Sequence, residues 1–180
     1  MQRWIVQIML AWLLSASASA SASATASASC RMTLSPGAVD YGVLTRAQLL
    51  ARPSSGDDGS FGVRRVHLRI QCPDVRSIRW SFAAPSSDAL HYRWAPGRLQ
   101  VRIVTVRLDG APVQWQREGE WAGATDLLQP GDRIVSWRAG SIATGRHLDV
   151  ELDIEARVSD ASSRVADLRR FDGHGTFRLE

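Results

Sequence analysis

Apolar and polar residues alternate with a period of two along much of the chain. The clearest runs are residues 66–72 and 147–158, in which every second residue is apolar. On a pleated strand this alternation separates an apolar face from a polar one, whereas a helix would spread both sets around its circumference. Shorter runs of the same kind occupy residues 78–82 and 177–179. The pattern therefore predicts strands that each place one face in a core.

Residues 99–108 also alternate, but their apolar set changes phase between Ile103 and Val104. A β-bulge at that point, or a strand that crosses from one sheet to another, accounts for the change. Residues 160–170 form either a short helix or a loop. Turn signals rich in Pro, Gly and Asp separate the strands, at residues 52–59, 73–74, 95–97, 109–110 and 130–132. Six or seven short strands separated in this way predict an all-β, antiparallel β-sandwich.

The N-terminal part of the chain has a different pattern. After Arg3, residues 4–14 are an apolar run, and residues 15–29 are almost wholly serine and alanine. The run is too short to span a bilayer, which takes about 20 residues, and has the length of a secretory signal. We therefore predict that residues 1–28 are a signal peptide with a Ser/Ala tail that contains the cleavage site. Residues 29–180 then form one domain, exported through the inner membrane into the periplasm.

The chain has two cysteines, Cys30 and Cys72, and both remain after removal of such a signal. Exported thiols oxidise, so we expect a disulfide between them; two unpaired buried cysteines are the alternative. A lipid on Cys30 is less favoured, because the leucine-like residue expected three positions earlier is missing. Two cysteines are too few for a four-cysteine zinc site.

Composition excludes several kinds of chemistry. All 22 basic residues are arginine, which excludes a Schiff-base lysine and a Walker-type phosphate loop. Without residues 1–28 the chain has 21 basic and 18 acidic groups, a net charge of +3. These charges alternate with apolar residues instead of forming a basic stripe, so we expect no nucleic-acid partner.

No set of residues in the sequence matches a catalytic or metal-binding pattern. The four histidines lack metal-ligand spacing, and no G-x-S-x-G nucleophile elbow occurs. The carboxylates at alternate positions from 149 to 155 line one face of a predicted strand, where we expect them to be solvated opposite arginines. We therefore predict no catalytic residue, no metal site and no cofactor.

The tryptophans are the remaining candidates for contact with a ligand. Trp80 is in phase with its apolar neighbours, so we place it in the core. Trp94, Trp115 and Trp121 lie near turns, and aromatic platforms beside polar groups bind sugars. Packing over the ends of the sandwich is the favoured interpretation of these three, and contact with a host glycan is the alternative hypothesis.

Several motifs match the pattern of a known family in their order and spacing. Residues 30–37 (CRMTLSPG) and 39–44 (VDYGVL) resemble the first cysteine and the aspartate–aromatic–glycine strand of fimbrial subunits, or pilins, of the chaperone–usher pathway. Residues 66–72 are similar to the strand that ends at the second cysteine of these subunits. Trp121 and residues 130–137 are similar to the middle region of these subunits, and residues 171–180 are similar to their terminal strand. The closest resemblance is to a beta-fimbrial family known as a domain of unknown function.

The resemblance implies an incomplete immunoglobulin-like sandwich that lacks its last strand. In pilins that strand is supplied in trans, first by a periplasmic chaperone and then, at an outer-membrane usher, by a neighbouring subunit. The terminal strand with Phe177 and Leu179 would flank the groove that the donated strand fills. The resemblance thus implies that the protein is a structural or tip subunit of a fimbrium at the cell surface and not an enzyme. Such a subunit could also contribute to adhesion.

The segment before Cys30 departs from the family pattern. Pilins have apolar residues at alternate positions there, whereas this chain has serine and alanine. Alanine in a pocket that fits leucine or valine forfeits about 1–2 kcal/mol of burial. We therefore expect a subunit that accepts a strand but donates one poorly, as at a fibre tip. The alternative from another functional class is a secreted or periplasmic carbohydrate-binding module with a complete sandwich.

Overall fold

The computed structural model describes residues 29–52, 58–119 and 125–180. Its strands form two antiparallel sheets, which confirms the all-β, two-sheet part of the prediction. The predicted signal segment and Trp121 lie outside the described residues. Within the described ranges, no helix is long and apolar enough to cross a membrane.

The first sheet has seven strands. They are β1 (Arg31–Ser35), β2 (Gly59–Ser77), β4 (Tyr92–Trp94), β5 (Gly97–Leu108), β6 (Ala111–Pro112), β8 (Leu127–Leu128) and β11 (Thr144–Val158). Their order is β1-β2-β11-β5-β4, and β6 and β8 also pair with β5. The alternating runs at 66–72 and 147–158 are thus parts of two long, directly paired strands, β2 and β11.

The second sheet has five strands. They are β3 (Arg79–Ala83), β7 (Gln114–Arg117), β9 (Arg133–Arg138), β10 (Ser141–Ile142) and β12 (Thr176–Leu179). Their order is β10-β9-β3-β12, and β7 also pairs with β9. The described residues therefore hold twelve strands rather than six or seven. Three of the additional strands are only two residues long, which is too short to show alternation.

The core lies between the sheets and is formed by the predicted apolar faces. Val66, Leu68 and Ile70 of β2 are fully buried, as are the alternate residues Leu148 and Leu152 of β11. Trp80 of β3 is also fully buried, which confirms its predicted place. On the opposite face of the first sheet, cross-strand ion pairs join Arg65 to Asp153 at 2.8 Å and Arg69 to Asp149 at 2.7 Å. Asp149 and Asp153 of β11 therefore face arginines, as predicted, whereas Glu151 lies opposite His67 and Thr105.

The change of phase in β5 is a β-bulge. Glu151 is paired with Thr105 and Leu152 with Ile103, so Val104 is the extra residue. Its side chain is 38% exposed, whereas Ile103 is buried. The bulge predicted between Ile103 and Val104 is confirmed, and β5 stays in one sheet.

The disulfide between Cys30 and Cys72 is confirmed, with the two Cα atoms 4.1 Å apart. It continues the pairing of β1 with β2, in which Arg31 lies opposite Gln71. Because the bond closes the end of this pair, it fixes β1 along the edge of the first sheet.

Two short helices join the strands. Helix α1 (Arg46–Leu50) begins after Thr45, whose hydroxyl accepts the N–H of Gln48 at 3.3 Å. The Gln48 side chain accepts the N–H of Thr45 at 2.8 Å, which completes a capping box. This helix is not predicted above, although the Thr-x-x-Gln signal is present. Helix α2 (Asp160–Ser163) covers only the first residues of the segment predicted as a helix or a loop.

Candidate functional site

The candidate site is the open edge between the two sheets. Among the described residues, β12 pairs only with β3 and β1 pairs only with β2. Strands β2 and β3 follow each other in the chain, and β1 and β12 are the edge strands that pair with them in the two sheets. Both strands contribute half-buried apolar residues to one core cluster. The two sheets therefore end side by side without a further strand among the described residues.

The backbone of β12 presents hydrogen-bonding groups to this open edge. Glu180 donates its N–H to the carbonyl of Arg79 on the β3 side at 3.1 Å. In an antiparallel pair the N–H and C=O of a residue point to the same neighbour, and successive residues alternate. Glu180 and Arg178 therefore face β3, and the N–H and C=O groups of Phe177 and Leu179 point away from it. These groups can pair with an added strand.

The side chains of β12 leave apolar surface at the edge. The Phe177 ring is half-buried, with its centroid 4.7 Å from that of Phe82 and 6.0 Å from that of Trp80. Leu179 lies opposite Trp80 in the sheet and is 38% exposed. The two residues predicted to flank a groove thus lie on the edge strand, Phe177 in contact with the core and Leu179 partly exposed.

Strand β1 has a matching pattern on its side of the edge. Met32 and Leu34 are half-buried and pack against the core, whereas the residues that alternate with them are exposed. Val39, just beyond the strand, is also half-buried and contacts both apolar clusters. The apolar core therefore reaches the surface along the line between β1 and β12.

Trp94 lies in an aromatic cluster at one end of the sandwich. Its ring centroid is 4.8 Å from Phe61, 5.7 Å from Tyr41 and 5.1 Å from Phe171, on which it stacks. The side chain is only 7% exposed, and an added Cβ at Gly173 would lie 3.0 Å from its Cδ1 atom. The Trp94 ring thus packs over the end of the sandwich, and its contact with a glycan stays a hypothesis.

The same cluster forms the floor of a cleft of about 730 Å³ between residues 39–46 and residues 162–173. Tyr41 is oriented by its hydroxyl, which donates to the carbonyl of Ile154 at 2.8 Å. Burial raises the pKa of Tyr41 well above its usual range, although nearby Arg64 opposes the shift. The charged residues of the rim are three aspartates and three arginines: Asp40, Asp167, Asp172, Arg46, Arg169 and Arg170. The rim is therefore balanced in charge.

Trp115 lies on β7, far from the open edge. It is half-buried, packs against the core and lines a separate cleft of about 570 Å³. The guanidinium carbon of Arg117 is 5.9 Å from the ring centroid. Arg117 is itself buried and is held by the Asp132 carboxylate at 2.7 Å. The structure does not bring Trp115 and Trp94 together, and the third candidate, Trp121, lies outside the described residues.

The described residues show no cluster of three or more His, Cys, Asp and Glu side chains that could hold a metal ion. His67 and His147 are exposed on the polar face of the first sheet. Asp149 and Asp153 lie on the same face and are held by ion pairs with arginines. No arrangement among these groups supplies a nucleophile with an adjacent base.

The aromatic cluster is the feature that sequence reasoning missed. Its rings come from positions 41, 61, 94 and 171, which belong to four separate segments of the chain. The motif at 39–44, the candidate Trp94 and the segment 171–180 marked three of them separately, but no local pattern joined them. No protein-family model, curated protein or solved structure matches this chain. The function proposed below therefore depends on the residues of the open edge.

Proposed function

We propose that this protein is a pilin-like subunit of a surface fimbria, assembled by chaperone–usher donor-strand complementation. The observation that carries the proposal is the open edge of β12, which has outward backbone groups and the apolar residues Phe177 and Leu179. Its domain is an incomplete immunoglobulin-like sandwich whose last strand comes from another chain. The protein is then a structural or tip component and not an enzyme.

The order of strands supports an immunoglobulin-like domain. Immunoglobulin constant-type domains place strands A-B-E-D in one sheet and C-F-G in the other. Here β1-β2-β11-β5 has the order of A-B-E-D, and β3-β12 that of C-F. Among the described residues, no strand takes the position of G, which would lie beside β12. The vacant position thus coincides with the open edge of the second sheet.

A donated strand would be held by two kinds of contact. Its backbone would pair with the N–H and C=O groups of Phe177 and Leu179, as in other cases of β-strand addition. Its alternate side chains would cover the apolar surface between Leu179, Met32 and Leu34. Burial of a Leu- or Val-sized side chain contributes about 1.5–3 kcal/mol, so apolar residues in a donor matter more than its remaining sequence.

The partners that follow from the proposal are a periplasmic chaperone, an outer-membrane usher and neighbouring subunits. The chain would be exported into the periplasm and then carried to the cell surface. Its own segment before Cys30 is serine and alanine, which supports a place at the end of a fibre where no strand need be donated. Adhesion to a host glycan would be an additional property of such a tip subunit.

Co-expression with a chaperone of this pathway tests the proposal. We expect a one-to-one complex in size-exclusion chromatography with light scattering. Leu179→Pro removes an N–H on the open side and leaves the bonds to β3 intact, so it should reduce the yield of complex at least tenfold. Leu168→Pro is the control, since Leu168 is 86% exposed in the loop before β12 and lies away from the edge.

Two results would count against the proposal. The first is a domain that is stable alone and forms no complex with the chaperone. The second is a complex that forms equally well with Leu179→Pro, because its contacts would then lie elsewhere. A circular dichroism spectrum of each variant separates loss of binding from loss of folding.

A further inference from the structure

The open edge also fits a second copy of the same chain. Among the described residues, β12 has no partner on the side to which Phe177 and Leu179 direct their N–H and C=O groups. Uncovered strand edges of this kind pair readily with other strands. We propose that, when no donor strand is bound, β12 pairs antiparallel with β12 of a second copy in a two-fold dimer.

The outward groups restrict the register of this pair. With the two-fold axis at Phe177, that residue lies opposite its own copy and Leu179 lies opposite Gly175 of the second chain. All outward groups of β12 then form hydrogen bonds. An axis at Arg178 would set two like charges against each other, which is unfavourable.

Side chains are complementary in the register centred on Phe177. On the core side, the two Phe177 rings come together, and Leu179, which is 38% exposed, lies beside the backbone of Gly175 of the other copy. On the solvent side, exposed His174 lies opposite Glu180, so a donor faces a carboxylate. The two-fold axis repeats each of these contacts. Glu180 accepts the Ser81 hydroxyl at 2.7 Å through one oxygen, and its other oxygen lies 3.8 Å from Nε of Arg133, which fixes its position.

The small size of this contact makes the dimer weak. The backbone hydrogen bonds of this pair come from residues 175–179 of each chain, whereas stable interfaces bury about 1,200–2,000 Å² in total. A longer donor strand, which also covers β1, would bury more apolar surface and displace the second copy. The dimer would thus protect the edge until a donor binds.

Sedimentation velocity of the purified full chain over a range of concentrations tests the inference. We expect a monomer–dimer equilibrium that Leu179→Pro abolishes and the control Leu168→Pro leaves unchanged. His174→Glu sets two carboxylates opposite each other and should weaken the dimer by about twofold to thirtyfold. His174→Arg places a permanent cation opposite Glu180 and should tighten the dimer over a similar range.

A strictly monomeric wild-type chain at all concentrations would overturn the inference. So would a dimer that is unaffected by Leu179→Pro or by both His174 variants, since its contacts would lie elsewhere. Addition of an extended peptide with alternate apolar residues separates this inference from the proposed function. If the peptide binds a chain that never dimerises, the proposed dimer is contradicted and the proposed function is not. If the dimer forms and no such peptide binds, only the proposed function is wrong.

Discussion

Gly97 shows how closely two strands approach at the start of β5. A Cβ atom at this position would lie 2.3 Å from the carbonyl oxygen of Arg157 and 3.2 Å from Cε3 of Trp94. Backbone cannot give way as a flexible side chain does, so Gly97→Ala should lower the free energy of unfolding by about 1–3 kcal/mol. Urea unfolding measures the loss. Gly37→Ala is the matched control, because the nearest atom to its Cβ, the carbonyl oxygen of Leu34, is 3.9 Å away. Equal effects of the two substitutions would contradict this account.

Asp109 links the stability of the domain to pH. Its carboxylate accepts the N–H groups of His147 at 2.8 Å and Arg146 at 3.0 Å, and these bonds lower the pKa of Asp109. A carboxyl with a lower pKa in the folded state adds stability above its unfolded pKa, and this contribution is lost as the pH falls through the folded pKa. Stability should therefore decrease between about pH 5 and pH 2.

The Asp109→Asn variant tests this dependence. It should be less stable than the wild type at neutral pH, and the difference should shrink in acid as the wild-type carboxyl is protonated. Urea midpoints across this pH range provide the measurement, with Asp74→Asn, at an exposed position of β2, as the control. A difference that stays constant with pH would show that Asp109 acts by shape and not by charge.

At the scale of elements, the bulge in β5 lets one strand keep all its apolar residues in the core. Val104 is the extra residue, so its deletion restores regular alternation and leaves Val101, Ile103, Val106 and Leu108 facing inward. We expect this deletion to preserve the fold. Deletion of Arg107, which is paired with Asp149, would instead turn Leu108 outward and cost about 2–5 kcal/mol. Thermal unfolding of the two variants compares these costs, and a larger loss from the Val104 deletion would contradict the assignment of the bulge.

The elements that could be predicted are those with a local signal. Alternation indicated β2, β11 and the bulge at Val104, because each side chain in a strand reports its own face. The export prediction indicated the Cys30–Cys72 bond. The ends of β2 were not predicted, since its exposed residues continue beyond the regular alternation. The contact of Phe171 with Trp94 was not predicted either, because it depends on how distant segments pack and not on their own sequences.

At the scale of the whole molecule, the edge strands β1 and β12 differ in how firmly they are held. The disulfide and the pairing with β2 fix β1, whereas β12 has only its pairing with β3 and the contacts of Phe177 to hold it among the described residues. The aromatic cluster around Trp94 and Phe171 closes one end of the sandwich and lies next to the loop that leads into β12. The free edge of β12 is thus the place where the proposed function requires an added strand.

Residue-resolved hydrogen exchange on β12 tests this central claim most directly. In the dilute free protein, the amides of Arg178 and Glu180 should exchange slowly because they face β3, and those of Phe177 and Leu179 should exchange fast. An extended peptide with alternate apolar residues should slow Phe177 and Leu179 at least tenfold, whereas a peptide of residues 17–29 should not. Slow exchange at all four positions before any peptide is added would contradict the account, as would an apolar peptide that protects neither Phe177 nor Leu179.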